Sequence, residues 1–149
     1  MSKVFVSGCY DIIHAGHIEF FKEALKQGDK LVVCIPSDEV LYQYKKRRPS
    51  IPIEHKIEIL NNISFIDEVV IGHNLDENGL NFKDIIIKIS PDVLVVTSDD
   101  KFEKNKRKLC TNHNIEYVKL EKTPPKFDPI STSSILNNIK TPNEAPLRV

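Results

Sequence analysis

Short apolar runs rich in β-branched residues alternate with helix-period segments about five times along this chain, and that order restricts the fold more than any other feature. Val4–Ser7 reads as a strand, and Ile18–Gln27 as a helix with Phe20, Phe21, Ala24 and Leu25 facing inward. Gly28 suits the left-handed residue that ends such a helix. Leu31–Ile35 is apolar throughout, the pattern of a strand buried on both faces. The basic stretch from Tyr42 to Ser50 is expected to be irregular. Helix Ile53–Ile63, with Pro52 in its first turn, precedes strand Glu68–Ile71 and helix Phe82–Ile89. Strand Asp92–Val96, helix Lys101–His113 and strand Ile115–Leu120 follow. Thr123–Pro129 holds three prolines and reads as a loop, after which Ser131 and Thr132 cap a last short helix through Ile139.

This order predicts an α/β fold: a Rossmann-like, doubly wound, mostly parallel five-stranded sheet with helices on both faces. Residues 1–140 are expected to form one domain and 141–149 a flexible tail. In such folds ligands bind beyond the carboxyl ends of the strands, where strand order reverses. Chemistry should therefore concentrate in Gly8–Gly16, Ser37–Ser50, Gly72–Leu80, Thr97–Asp100 and Glu121–Ser131.

Lysine plus arginine equals aspartate plus glutamate, 21 each, so charge makes no case for nucleic acid or acidic membranes as partners. The apolar runs are too short to span a bilayer. The start, Met1-Ser2-Lys3-Val4, carries no signal-peptide pattern, and a cytoplasmic protein is expected. Three widely spaced cysteines, Cys9, Cys34 and Cys110, make a poor disulfide framework, and Cys34 reads as a core residue.

The turn after the first strand carries more chemistry than a connector needs. Gly8 follows the strand, where a ligand would approach the backbone, and His14-Ala15-Gly16-His17 stands at a helix start. A helix N-terminus offers free N–H groups to phosphate, and two imidazoles add donors for negative charge that grows during a reaction. A zinc site of Cys9, His14 and His17 is a rival, although no second cluster completes four ligands. Neither a dinucleotide fingerprint nor a Walker loop is present.

Gly8-Cys9-Tyr10-Asp11-Ile12-Ile13-His14-Ala15-Gly16-His17 resembles the G-x-[FY]-D and H-x-G-H signature of the cytidylyltransferase-like nucleotidyltransferases. That superfamily includes glycerol-3-phosphate, choline-phosphate and ethanolamine-phosphate cytidylyltransferases, sugar-phosphate (heptose) adenylyltransferases and an archaeal type of FAD synthetase. Three later segments extend the resemblance. Glu54-His55-Lys56 stands where the family has E-[HQ]-R, and Thr97-Ser98-Asp99-Asp100 where it has G-G-D or G-D-D. Ile130-Ser131-Thr132-Ser133 is similar to I-S-T-T, with Lys122 in place of the preceding arginine.

The resemblance implies attack of an acceptor phosphate on the α-phosphorus of a nucleoside triphosphate, with release of pyrophosphate. His14, His17 and Lys46 would be catalytic. Gly8, Cys9, Tyr10, Asp11, Gly16, Asp99, Lys122, Ile130, Ser131 and Thr132 would bind the nucleotide, and Lys45 and Lys56 the substrate phosphate. Mg²⁺ would be held mostly by the phosphates, and Asp11 would either contact it or pin the turn. CTP is favoured over ATP, with a small phosphorylated alcohol or sugar such as glycerol 3-phosphate as acceptor. The alternatives are an adenylyltransferase using ATP with a heptose-phosphate or FMN-type acceptor, and a catalytically silent nucleotide-binding regulator. The family also implies a homodimer.

Overall fold

The structure, a computed structural model, describes residues 1–121, 128 and 130–141. Five strands, β1 (Lys3–Ser7), β2 (Lys30–Pro36), β3 (Glu68–Gly72), β4 (Val93–Thr97) and β5 (Glu116–Leu120), form one sheet in which every pairing is parallel. Their order is β3-β2-β1-β4-β5. The chain therefore winds outward from β1 through β2 to β3, then returns to the other side of β1. The reversal falls between β1 and β4, which is where a doubly wound sheet opens a crevice.

Alternation along the strands builds two cores. Val4, Val6, Val33 and Val95 face one way, against Phe21 and Ala24 of α1 (Ala15–Leu25) and Leu60 of α3 (Ile53–Asn61). Phe5, Val32, Cys34 and Leu94 face the other way, against Ile86 of α4 (Lys83–Ile89) and Leu109 and Cys110 of α5 (Glu103–Asn112). With apolar side chains required on both faces, β2 has no room for polar residues, and Leu31–Ile35 are all buried. Carboxylates fasten the amino ends of the strands. Asp92 accepts from the Lys3 N–H at 2.8 Å, and Asp67 from the Leu31 N–H at 2.8 Å. No helix among the described residues is long and apolar enough to cross a membrane.

Three sequence expectations change. The first helix begins at Ala15 rather than Ile18, because His14 itself caps it. The stretch expected to be irregular begins inside a helix, α2 (Asp38–Lys45). Ser37 caps that helix by accepting from the Val40 N–H, Asp38 and Glu39 complement its dipole, and Val40 and Leu41 bury one side. Gly28 is not left-handed, since Gly79 is the one glycine with positive φ among the described residues. It is small because a Cβ there would lie 2.8 Å from Val4 Cγ2, where the chain tucks under β1.

Gly72, at the end of β3, has a similar cause: a Cβ would drive into the Asn81 carbonyl oxygen, and backbone cannot swing aside. Gly72→Ala is expected to cost about 1–3 kcal/mol by overpacking, read as a lowered urea-unfolding midpoint.

Candidate active site

A cavity of about 940 Å³ opens at the carboxyl ends of the strands, over the β1–β4 reversal. Every strand contributes to its wall through the segment that follows it. These segments bring Gly8, Tyr10, His14 and His17 after β1, Tyr44 and Lys45 after β2, Leu75 and Gly79 to Phe82 after β3, Thr97 and Asp99 to Phe102 after β4, and Ile130 to Thr132 with Ser134 after β5.

The head of α1 is closed by its own histidines. His14 Nδ1 accepts from the Gly16 N–H at 3.1 Å, and His17 Nδ1 accepts from the His14 N–H at 3.2 Å. This is a capping box made by two imidazoles, whose ring centroids lie 4.0 Å apart. The Gly16 position must lack a side chain, because a Cβ would lie 2.9 Å from His14 Cε1. A ring whose Nδ1 accepts a hydrogen bond carries its proton on Nε2. Both imidazoles therefore present an Nε2–H donor, on rings that line the cavity.

The electrostatics hold this state. Burial pushes the His17 pKa down to about 4, with the neighbouring His14 adding to the effect, and burial lowers His14 as well. Protonating Nδ1 would set an N–H against a backbone N–H and break the cap. Tyr10, at φ 43°, packs its ring edge-on against His17 at 5.3 Å and Phe21 at 5.0 Å. The same ring explains Gly8: a Cβ there would lie 2.6 Å from Tyr10 Cζ. The glycine expected to admit a ligand admits Tyr10.

Asp11 is buried, and both of its oxygens are engaged. Arg47 donates to one at 2.6 Å, and the backbone N–H groups of Ser50 and Ile51 donate to the other at 2.8 and 3.3 Å. Burial alone would raise the pKa of this carboxyl, but the hydrogen bonds from Arg47, Ile51 and Ser50 hold it below the ordinary value. Of the two roles expected for Asp11, the contacts are those of a pin, and it pins the loop after α2 rather than its own turn. No group of three or more histidine, cysteine or carboxylate side chains among the described residues could hold a metal ion. The Cys9 thiol is raised by burial despite Lys45, Lys56 and Arg47 nearby, which also disfavours the thiolate that zinc requires.

The lysines sort differently from expectation. Lys45 lines the cavity, whereas Lys46, expected to be the contact, lies outside its wall as the exposed left-handed cap of α2. Lys56 is fully buried, and its Nζ donates to the Cys9 carbonyl at 3.4 Å. It braces the turn from beneath and is absent from the cavity wall. Lys122 falls outside the described residues, as does most of the proline-rich loop.

The two aspartates after β4 divide the work. Asp99 lines the cavity and accepts from the Thr97 hydroxyl. Asp100 accepts from the Phe102 N–H, from Lys106 Nζ at 2.8 Å and from the Tyr117 hydroxyl at 2.8 Å, fixing the start of α5. Ile130, Ser131 and Thr132 line the cavity where α6 (Thr132–Lys140) begins, and Ser131 and Ser134 cap that helix reciprocally. Tyr44, Phe102 and Lys106 also line the cavity and were missed by sequence reasoning. The available signal was Tyr44, an aromatic residue on a strongly polar helix that follows a strand.

The family model described as cytidylyltransferase-like matches residues 5–138, and the chain belongs to that family. It is a nucleotidyltransferase. It is 39% identical over 140 residues to the FAD synthase of Pyrococcus horikoshii, covering 92% of this chain and 91% of that one. Identity to the FAD synthase of Thermococcus kodakarensis is 36% over 140 residues, with the same coverage. The bifunctional protein HldE of Hydrogenovibrio crunogenus is 38% identical over 99 residues, which is 66% of this chain but 20% of that protein. Among solved structures, the lipopolysaccharide core biosynthesis protein of Thermoplasma volcanium superposes with a TM-score of 0.70 at 25% identity, over 83% of this chain and 98% of that one.

Capping and donating can be separated by substitution. His14→Asn keeps an acceptor for the Gly16 N–H and removes the Nε2–H donor, so nucleotidyl transfer is expected to fall about 10²–10³-fold with the melting temperature nearly unchanged. His14→Ala is expected to lose the activity and, in addition, about 1 kcal/mol of stability. The pH dependence has a fixed sign, since unfolded His17 takes up a proton near pH 6.5 and the folded residue only near 4. Stability should be complete above pH 6.5 and decline as pH falls towards 4. Urea midpoints across that window should decline less steeply for His17→Asn, and parallel slopes would contradict the assignment.

Proposed function

We propose that this chain transfers the adenylyl group of ATP to a phosphate monoester and releases pyrophosphate, with FMN as the acceptor. The observation that carries ATP and FMN is the match, across nine-tenths of both chains, to relatives named FAD synthase. FAD is FMN joined to AMP through a pyrophosphate link, so its synthesis by this class of enzyme takes ATP. The CTP expected from the motif resemblance gives way on that ground.

The reaction forms a bond between an acceptor phosphate oxygen and the α-phosphorus, and breaks the bond from the α-phosphorus to the bridging oxygen of the leaving pyrophosphate. A phosphate monoester is already a nucleophile near neutral pH. The protein's task is then to align the groups and neutralise charge as it spreads over the α-phosphate oxygens. In this reading the Nε2–H groups of His14 and His17 donate to those oxygens. Both rings are held neutral with their donors fixed in place, so little reorganisation is needed in the transition state. Lys45 supplies the mobile positive charge first expected from Lys46. The hydroxyls of Ser131 and Thr132, at the head of α6, receive the pyrophosphate. Mg²⁺ enters with the triphosphate, and no residue of this chain is given to it.

The test is pyrophosphate release from each of four nucleoside triphosphates, with FMN, glycerol 3-phosphate and a panel of sugar phosphates as acceptors. ATP with FMN should give FAD at least tenfold faster than any other pair. Turnover with CTP and glycerol 3-phosphate would restore the original expectation. Nucleotide binding without turnover on any acceptor would make the chain a silent regulator. His17→Ala should lower the FAD-forming rate about 10²–10³-fold.

A further inference from the structure

We propose that Tyr44 and Phe102 form the seat for a flat heteroaromatic ring of the acceptor, on the β2–β3 side of the cavity. This rests on the adenylyl-transfer reading above and adds where the acceptor's non-phosphate part is recognised. Strand order supplies the first argument. The histidines follow β1, at the centre of the sheet, while Ser131 and Thr132 follow β5, at one edge. In-line displacement puts the nucleophile opposite the leaving group. If pyrophosphate departs towards α6, the acceptor enters from the other side, over β2 and β3.

The chemistry of that side fits one kind of molecule. Tyr44 and Phe102 have ring centroids 6.0 Å apart at an interplanar angle of 46°. The loop after β3 packs onto Phe102: a Cβ at Gly79 would lie 3.4 Å from Phe102 Cε1. Leu75 and Leu80 add aliphatic surface to this part of the wall. The part of the wall after β5 carries Ser131, Thr132 and Ser134, beside Leu120, Glu121 and Ile130.

Tyr44 is also placed oddly for a structural residue. It is 40% exposed, while α2 is anchored by Val40 and Leu41. The ring lies in the cavity wall. An aromatic ring held half in water at a cavity wall is a stacking surface that a ligand completes. Lys45 Nζ lies 5.3 Å from the Tyr44 ring centroid, which sets a phosphate-binding charge beside that surface. Asn81 also lines the cavity and offers N–H donors to carbonyl oxygens at a ring edge. The acceptor matched by these features carries a phosphate at one end and a planar, carbonyl-edged ring at the other.

Steady-state kinetics and quenching of FMN fluorescence, on wild type, Tyr44→Phe, Tyr44→Leu and Phe102→Leu, test the seat. Tyr44→Leu is expected to raise the KM for FMN about tenfold and to weaken FMN binding equally, while Tyr44→Phe stays within twofold of wild type. Calorimetric affinity for a non-hydrolysable ATP analogue should stay within twofold in all four proteins. Tyr44 is exposed enough that its variants should fold, so they decide the matter if Phe102→Leu destabilises the chain. A wild type that makes FAD while Tyr44→Leu keeps its KM for FMN overturns the seat and leaves the adenylyl-transfer reading intact. A wild type that neither quenches FMN fluorescence nor makes FAD, but turns over a sugar phosphate, overturns both.

Discussion

Two hydrogen bonds at the head of α1 set the state of everything around them. Gly16 donates to His14 and His14 to His17, so the two imidazoles take the places that serine and glutamate occupy in an ordinary capping box. The arrangement is self-consistent. Capping requires Nδ1 to be an acceptor, which requires neutral rings, and burial already favours neutral rings. The product is a pair of Nε2–H donors whose direction is fixed by backbone. The rings then dictate their neighbours: Gly16 has no side chain because His14 fills the space, and Gly8 has none because Tyr10 does, with Tyr10 itself wedged against His17.

The basic loop after α2 depends on that turn through Asp11. Its carboxylate, 3% exposed, takes Arg47 and two backbone N–H groups from a segment 36 to 40 residues away. Four consecutive basic residues thus have different fates. Lys45 faces the cavity, Lys46 caps a helix, Arg47 is the tether, and the Arg48 carbonyl accepts a hydrogen bond from that tether. Lys56 supports the same turn from below. Within this charge run the Arg47 side chain is structural, while Lys45 lines the cavity.

The sheet gives the cavity its polarity. Because β2–β3 and β5 lie on opposite flanks of β1 and β4, Tyr44 and the hydroxyls at the head of α6 come to the cavity from the ends of different strands.

The order of strands and helices, their parallel pairing and the position of the motif turn were legible in the sequence. Each rests on local periodicity: two residues per turn of pleat, 3.6 per turn of helix, and a capping residue at the start. The placement of His14, Ser131 and Thr132 at helix starts was legible for the same reason, being fixed by the ends of their own elements. Tertiary structure decided what depends on convergence between elements. Adjacent helical residues point about 100° apart, so no pattern within Tyr42–Ser50 could choose Lys45 over Lys46. The partner of Asp11 lies 36 residues away, and Lys56 became a buried brace only because α3 packs under the Cys9 turn. Gly8 and Gly28 were read as backbone requirements, yet the space each lacks is taken by Tyr10 and Val4. The aromatic flank joins a residue after β2 to one after β4, and only the winding of the sheet brings them together.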